Sequence, residues 1–166
     1  MTATAFLARR AARPALAALA VTLAAAGCGG APAAPASSAA GTLTIAAKAL
    51  PRVGTVLVNA AGDALYMFVP DDQRQVTCVS LCAGTWPPVR LRPGAALAAG
   101  PGVRQALLGS DADPAGGRVV TYHGWPLYTY TADVYAGQTT GQGIDLNGGY
   151  WYLIRPSGQV VKTQPQ

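Results

Sequence analysis

The side chains best suited to chemistry fall in three places along the chain. Tyr66-Met-Phe68-Val-Pro-Asp71 and Tyr128-Thr-Tyr130-Thr-Ala-Asp133 share one pattern, Tyr-x-aromatic-x-x-Asp. A phenol beside a carboxylate can grip a sugar or a peptide at a surface, or lock a turn in an interior. On a strand, residues two apart share a face, so Tyr66 and Phe68 point together, as do Tyr128 and Tyr130. Asp71 and Asp133 then fall where each strand should end, and Asp suits a turn that bonds its own backbone. Two readings follow. Either the aromatics fill the core and the Asp fixes the turn, within reach of a Tyr hydroxyl, or they line a groove with an Asp at its rim.

The second place is Cys78-Val-Ser-Leu-Cys82-Ala-Gly-Thr-Trp86-Pro-Pro. In an exported protein a pair of cysteines oxidises to a disulfide, and so small a ring would stiffen one loop more than the whole domain. The redox alternative is weaker. Thioredoxin-like sites use Cys-x-x-Cys, one residue shorter. Haem attachment needs a His where Ala83 stands. A thiolate copper(I) site is chemically open, although no His or Met adjoins the pair.

The third place is His123, the single histidine, in a Tyr-His-Gly turn. It has no ligand helpers in sequence reach, and no Gly-x-Ser-x-Gly elbow exists for a nucleophile. The run Gly137-Gln-Thr-Thr-Gly141-Gln-Gly143 lacks the Lys of a phosphate loop and reads as a loop. Trp86, Trp125 and Trp151 are candidates for the core. All seven acids are Asp, and no paired-carboxylate motif offers acid–base work. The expectation is a protein that is not an enzyme, with no metal site and no cofactor.

The scaffold that carries these residues is expected to lie outside the cytoplasm. Arg9, Arg10 and Arg13 precede an Ala/Leu-rich stretch ending Ala26-Gly27-Cys28. A basic segment, a short apolar segment and small residues make a secretory signal, too short to span a bilayer comfortably. Ala26-Gly27-Cys28 looks like a lipobox, with Ala25 where Leu is usual. Residues 1–27 are therefore expected to be a cleaved lipoprotein signal, with Cys28 carrying the lipid that anchors the chain to the cell membrane. Residues 28–41, rich in Ala, Pro, Ser and Gly, read as a disordered, flexible tether reaching at most ~40 Å. Of 12 basic residues, three belong to the leader. The remainder is nearly balanced, which argues against nucleic acid as a partner.

Residues 42–166 read as one all-β domain. Alternating or β-branched runs at 42–46, 55–59, 64–69, 118–122, 125–130, 150–155 and 159–162 are separated by Gly, Pro and Asp turns. Three hairpins follow: 55–59 with 64–69, 118–122 with 125–130, and 150–155 with 159–162. Only residues 103–108 suggest a helical turn. Gly62, Leu65, Tyr66, Phe68 and Asp71 match Gly124, Leu127, Tyr128, Tyr130 and Asp133 at a constant offset. Two related β-meander or hairpin units, about 53–90 and 116–163, are therefore expected to pack as a pseudo-symmetric pair, forming a small sandwich or barrel-like domain.

Together these features resemble the bacterial secreted-repeat lipoproteins with a Tyr-x-[Phe/Trp/Tyr]-x-x-Asp motif. The resemblance rests on both motif copies, on the Cys-x3-Cys-Ala-x-x-Trp-Pro-Pro element at 78–88, and on Thr121-Tyr-His-Gly-Trp-Pro-Leu-Tyr128. The Thr140-Gly-Gln-Gly143 loop and the Trp151 strand also fit. It covers about 53–161, with Val119 standing where a Gln is usual. It implies export, repeats and β structure, and supplies no catalytic residues. The function expected is an extracytoplasmic binding or interaction module for an envelope partner or small ligand. The alternative is a redox- or metal-linked envelope protein using Cys78 and Cys82.

Overall fold

A computed structural model describes residues 41–72 and 75–162. The expected signal, Cys28 and the tether up to residue 40 lie outside the described residues. In chain order the strands are β1 Thr42–Leu50, β2 Gly54–Val58 and β3 Tyr66–Phe68. A short helix α1, Leu81–Thr85, follows, then β4 Arg90–Leu91, β5 Ala96–Ala99, β6 Leu108–Ala112 and β7 Arg118–Tyr122. The last strands are β8 Trp125–Pro126, β9 Asp145–Leu146 and β10 Gly149–Leu153. Among the described residues they form three small sheets, ordered β2-β1-β5, β3-β10-β9 and β4-β7-β6, with β8 also on β7. The packing is sandwich-like, and the sheets do not close into a barrel.

Each repeat opens on an antiparallel hairpin. In the first, β1 pairs with β2 from Ala46↔Val58 to Leu50↔Gly54. In the second, β6 pairs with β7 from Leu108↔Tyr122 to Ala112↔Arg118. The next segment then leaves its own hairpin. Leu65 N–H bonds the carbonyl of Leu57, and Leu127 N–H bonds that of Val120. Beyond that point β3 pairs with β10 of the other repeat, placing Trp151 opposite Phe68. The tail of the first repeat reciprocates: Thr129 N–H and Thr131 N–H bond the carbonyls of Pro87 and Thr85, and β4 pairs with β7. Each repeat thus receives its closing strand from the other.

All three expected hairpins close, two of them over a single bridge. Residues 55–59 and 64–69 pair at Val58↔Ala64, with Asn59 N–H and Leu65 N–H bonded to the carbonyls of Asp63 and Leu57, before the chain diverges toward β10. Residues 150–155 and 159–162 pair in the same way at Ile154↔Val160. His123 (φ 51°) and Gly124 (φ 84°) make the two-residue turn between β7 and β8, where positive φ at both positions matches the strand twist. At the C-terminal end Arg155 N–H bonds Gln159 across the Pro-Ser-Gly turn. A 3-10 turn at Gln105–Leu107 occupies the expected helical stretch. It is not alone: a second 3-10 turn forms at Val69–Asp71, and α1 is a further helical segment, beside the disulfide described below.

The central chain is covered on both faces. Val56, Val58, Tyr66, Phe68, Trp86, Tyr128, Trp151 and Leu153 belong to one apolar cluster. Ile45, Leu57, Leu65, Met67, Val120, Tyr122, Leu127 and Ile154 belong to a second. Alternate residues of one strand feed alternate clusters, which is why Ala64 to Phe68 are all buried. A strand buried on both faces reads as a continuous apolar run, and the Leu-Tyr-Met-Phe segment is one.

Candidate functional site

The two Tyr-x-aromatic-x-x-Asp copies meet at the centre of the molecule. Tyr66 and Tyr128 exchange backbone hydrogen bonds, N–H to carbonyl, at 2.8 and 2.9 Å. Their hydroxyls cross over. Tyr66 donates to Oδ2 of Asp133 at 2.6 Å, and Tyr128 donates to Oδ2 of Asp71 at 2.7 Å. The other carboxylate oxygen of each Asp closes its own loop. Asp71 Oδ1 accepts from the backbone N–H and hydroxyl of Thr77 at 2.8 and 2.7 Å. Asp133 Oδ1 accepts from the same groups of Thr140 at 2.9 and 2.5 Å. The expected turn-fixing Asp is therefore present in both copies, and each also clasps the other repeat.

Burial decides between core and groove. Tyr66, Tyr128 and Asp71 are fully buried and Phe68 is 3 % exposed; Tyr130 and Asp133 are half-buried. A phenolate in such surroundings is unfavourable. Desolvation, reinforced by the facing carboxylate, pushes Tyr66 and Tyr128 far above the ordinary phenol range. Desolvation also raises Asp71, even though bonds from Thr77 and Tyr128 oppose it. The motif groups are matched to one another and build the frame.

A stack of four rings runs through the same centre. Phe68 lies on Trp151 at 4.2 Å, Trp151 on Trp86 at 4.0 Å and Trp86 on Tyr130 at 4.0 Å. The two indoles are nearly parallel, at 2°. Tyr66 meets Trp86 edge-on at 5.4 Å, and Tyr128 meets Trp151 edge-on at 5.2 Å. Rings from alternating repeats interleave, so the pseudo-twofold passes between the tryptophans. One asymmetry remains: Trp151 Nε1 donates to the Leu146 carbonyl at 3.0 Å, while Trp86 Nε1 is buried without a partner among the described residues. Gly141 lies against this stack; a Cβ there would sit 2.7 Å from the Trp86 ring.

Cys78 and Cys82 are joined in a disulfide with Cα atoms 5.2 Å apart. Cys78 is buried, and Cys82 is half-buried and packs against the first cluster. Between them, Cys82 N–H bonds the Val79 carbonyl at 3.1 Å, and Ser80 takes a positive φ of 55°. The Trp86 N–H then bonds the Cys82 carbonyl at 2.8 Å. The bridge thereby fixes the loop that delivers Trp86 to the stack, and leaves Leu81 90 % exposed at its tip.

The remaining candidates stay apart. His123 is exposed, with Nδ1 3.3 Å from the Gly158 carbonyl oxygen. It borders a cleft that Ser110 and Asp111 also line. However, His123 bonds Leu107 while Asp111 pairs with Val119. That spacing of four strand positions is ~13 Å, too far for a His–Asp dyad. Trp125 is half-buried. Sequence reasoning missed Thr77 and Thr140 as carboxylate partners. It also missed Gln142, a buried side chain inside the Gly-rich loop, whose Oε1 accepts from Leu153 N–H at 2.8 Å.

A second groove, about 380 Å³, lies at the start of β1. Gly41 to Thr44, Asn59 to Ala61, Val89, Arg90, Arg92 and Ala95 form its walls. Arg90 is held by Asp113 at 2.7 Å.

Comparison with known proteins finds the same two repeats in the sequence. No curated protein and no solved structure matches the chain. The family described as a secreted repeat of unknown function matches twice, over residues 49–90 and 109–155. These spans coincide with the two exchanged units and together cover more than half of the chain. The chain therefore belongs to the secreted-repeat family and is an extracytoplasmic protein.

Proposed function

We propose that this protein is a membrane-anchored lipoprotein of the cell envelope, held by a lipid on Cys28, whose β domain is a non-enzymatic binding module. The observation that carries the reading is the crossed Tyr–Asp clasp. The groups of the motif best suited to chemistry are spent on each other, with Asp71 fully buried. What remains for function is surface. Leu81, Val134 and Tyr135 are 90, 69 and 73 % exposed, and the Tyr135 loop is held by bonds between Tyr135 and Gln138 in both directions. Rigidly held exposed aromatics are the usual anchors of protein interfaces. The closed Cys78–Cys82 bond, with Cys78 buried, supports a structural role for that pair over redox or metal use.

Two measurements test this. Native mass spectrometry of the protein taken from its own membrane should show a chain beginning at a lipid-modified Cys28, two hydrogens short at Cys78 and Cys82. An unmodified Cys28 refutes the anchor. Alkylatable thiols or a bound metal at the pair would favour the redox reading. Photo-crosslinking side chains placed singly at Leu81, Arg92, Tyr135 and Tyr150 in the intact envelope should give one reproducible adduct on one face. Silence at all four positions refutes the binding role.

A further inference from the structure

The groove at the start of β1 has a feature that no motif announces: among the described residues it is the unpaired half of a strand ladder. β1 is nine residues long, but β2 pairs only with its second half, ending at Ala46↔Val58. The first half is held on one side by β5, from Thr42↔Ala96 to Ile45↔Ala99. The carbonyl of Ile45 accepts from Gly100 and Ala47 N–H donates to Pro101 on that side. Backbone groups alternate in direction along a strand, so those of Thr42 and Thr44 point the other way. There the chain turns off at Asn59, whose side-chain Oδ1 accepts from Ala61 and Asp63 N–H. The space a continuing β2 would occupy is the groove.

Its walls suit an incoming backbone. Thr42, Thr44, Ala60, Ala61 and Ala95 are small, and Val89 gives an apolar wall. Arg90 and Arg92 line it and no acid does. Asp113 neutralises Arg90, which leaves the Arg92 guanidinium as a free positive charge among the described residues.

We infer that this edge is a strand-addition site, where an extended peptide bearing a carboxylate side chain pairs with Thr42 and Thr44 and sets its acid against Arg92. Adding a strand to an open edge draws affinity from main-chain bonds and specificity from flanking side chains. Charge decides the occupant. A second copy paired edge to edge would bring Arg92 against Arg92. The chain's own residues 28–40 carry no charged side chain and two prolines, a poor match for a strand beside an arginine. The inference rests on the binding-module reading and names its partner class.

The test uses the chain from Cys28 onward and the peptide acetyl-Val-Asp-Val-Asp-Val-amide. Amide exchange and chemical shifts are followed at Thr42, Thr44 and Ala46. Binding should slow exchange at Thr42 and Thr44 and leave Ala46, already bonded to Val58, unchanged. Thr44→Pro removes an outward N–H without touching the β5 side and should weaken binding about tenfold. Arg92→Ala should weaken it about fivefold at low salt. Methylating alternate amides of the peptide should abolish binding, and this control leaves the protein unaltered. The site is refuted if binding is not saturable up to about 1 mM, or if methylated and unmethylated peptides bind alike. It is also refuted if a lysine-for-aspartate peptide binds as well. If the peptide fails while a crosslink forms at Leu81, Tyr135 or Tyr150, the site falls and the binding module stands. If no position crosslinks, the module itself falls.

Discussion

Tyr128→Phe removes one oxygen from the centre of the clasp and leaves the ring. The lost bond is the 2.7 Å donation to Asp71. Both residues are fully buried, so water cannot take the place of the hydroxyl. A hydrogen bond to a charged or charge-bearing group contributes ~1.5–3 kcal/mol, and the expected loss at pH 7 is about 2–3 kcal/mol. A second signature appears at high pH. The folded protein keeps the protons of Tyr66 and Tyr128 far above the ordinary phenol value of 10.0. The unfolded chain releases them near that value. Above it the unfolded state binds fewer protons, so stability must fall as pH rises, by ~1.4 kcal/mol per pH unit for each tyrosine. The two together contribute ~2.7 kcal/mol per unit, and Tyr128→Phe should remove half of that slope. Urea unfolding at pH 7, 10, 10.5 and 11 measures both effects, with an unchanged denaturant dependence as the control for compactness. A loss below ~0.5 kcal/mol at pH 7, the range of an ordinary surface change, together with an unaltered alkaline slope would refute the buried clasp.

Three further changes probe the other parts of the frame. Asp71→Asn should flatten an acid-range slope. The folded carboxyl titrates above its unfolded value of 3.8, so its contribution is full below that value and is lost as pH rises through the folded one. The stability of the native protein relative to the variant should fall over that interval in urea titrations from pH 3 to 7. Gly141→Ala would drive a Cβ into Trp86, with contacts of 2.7 and 2.9 Å. It should cost ~1–3 kcal/mol and alter tryptophan fluorescence in the folded state; an unchanged spectrum and stability would mean that the stack is loose. The paired change Cys78→Ser and Cys82→Ser opens a five-residue ring, worth ~2 kcal/mol in the chain-entropy account. Calorimetry should show that loss with the fold retained, and complete unfolding would give the bridge a larger role than the ring size allows.

Local pattern made much of this fold legible. The repeat at constant offset, the His-Gly turn and the Pro-Ser-Gly turn all depend on neighbours in sequence, and each is present; most of the expected runs form strands, although 125–130 does so only at Trp125–Pro126 and 159–162 only as a bridge at Val160. The same holds for Asp71 and Asp133 closing their own turns, which needs a donor only six or seven residues on. α1 is not legible in the sequence because Leu-Cys-Ala-Gly-Thr has no helical periodicity. Its turn is closed by backbone bonds from Gly84 and Trp86 N–H to Ser80 and Cys82, next to the bridge that joins Cys82 to Cys78.

Periodicity and spacing within the sequence specify an all-β domain in two related copies and a cysteine pair able to close a small ring, because those signals are carried by residues within a few positions of one another in each copy. Membership of the secreted-repeat family comes from the match of its motifs instead. The exchange of closing strands, and the reach of Tyr66 to Asp133, 67 positions away, and of Tyr128 to Asp71, 57 away, belong to the tertiary packing. So do the burial of Tyr66, Tyr128 and Asp71 and, among the described residues, the open edge of the first half of β1. A phenol and a carboxylate carry the same pattern whether they face a ligand or each other. The distinction comes from what covers them: Trp86 lies against Tyr66 and Trp151 against Tyr128 within each repeat, while Trp151 covers Phe68 and Trp86 covers Tyr130 from the opposite one.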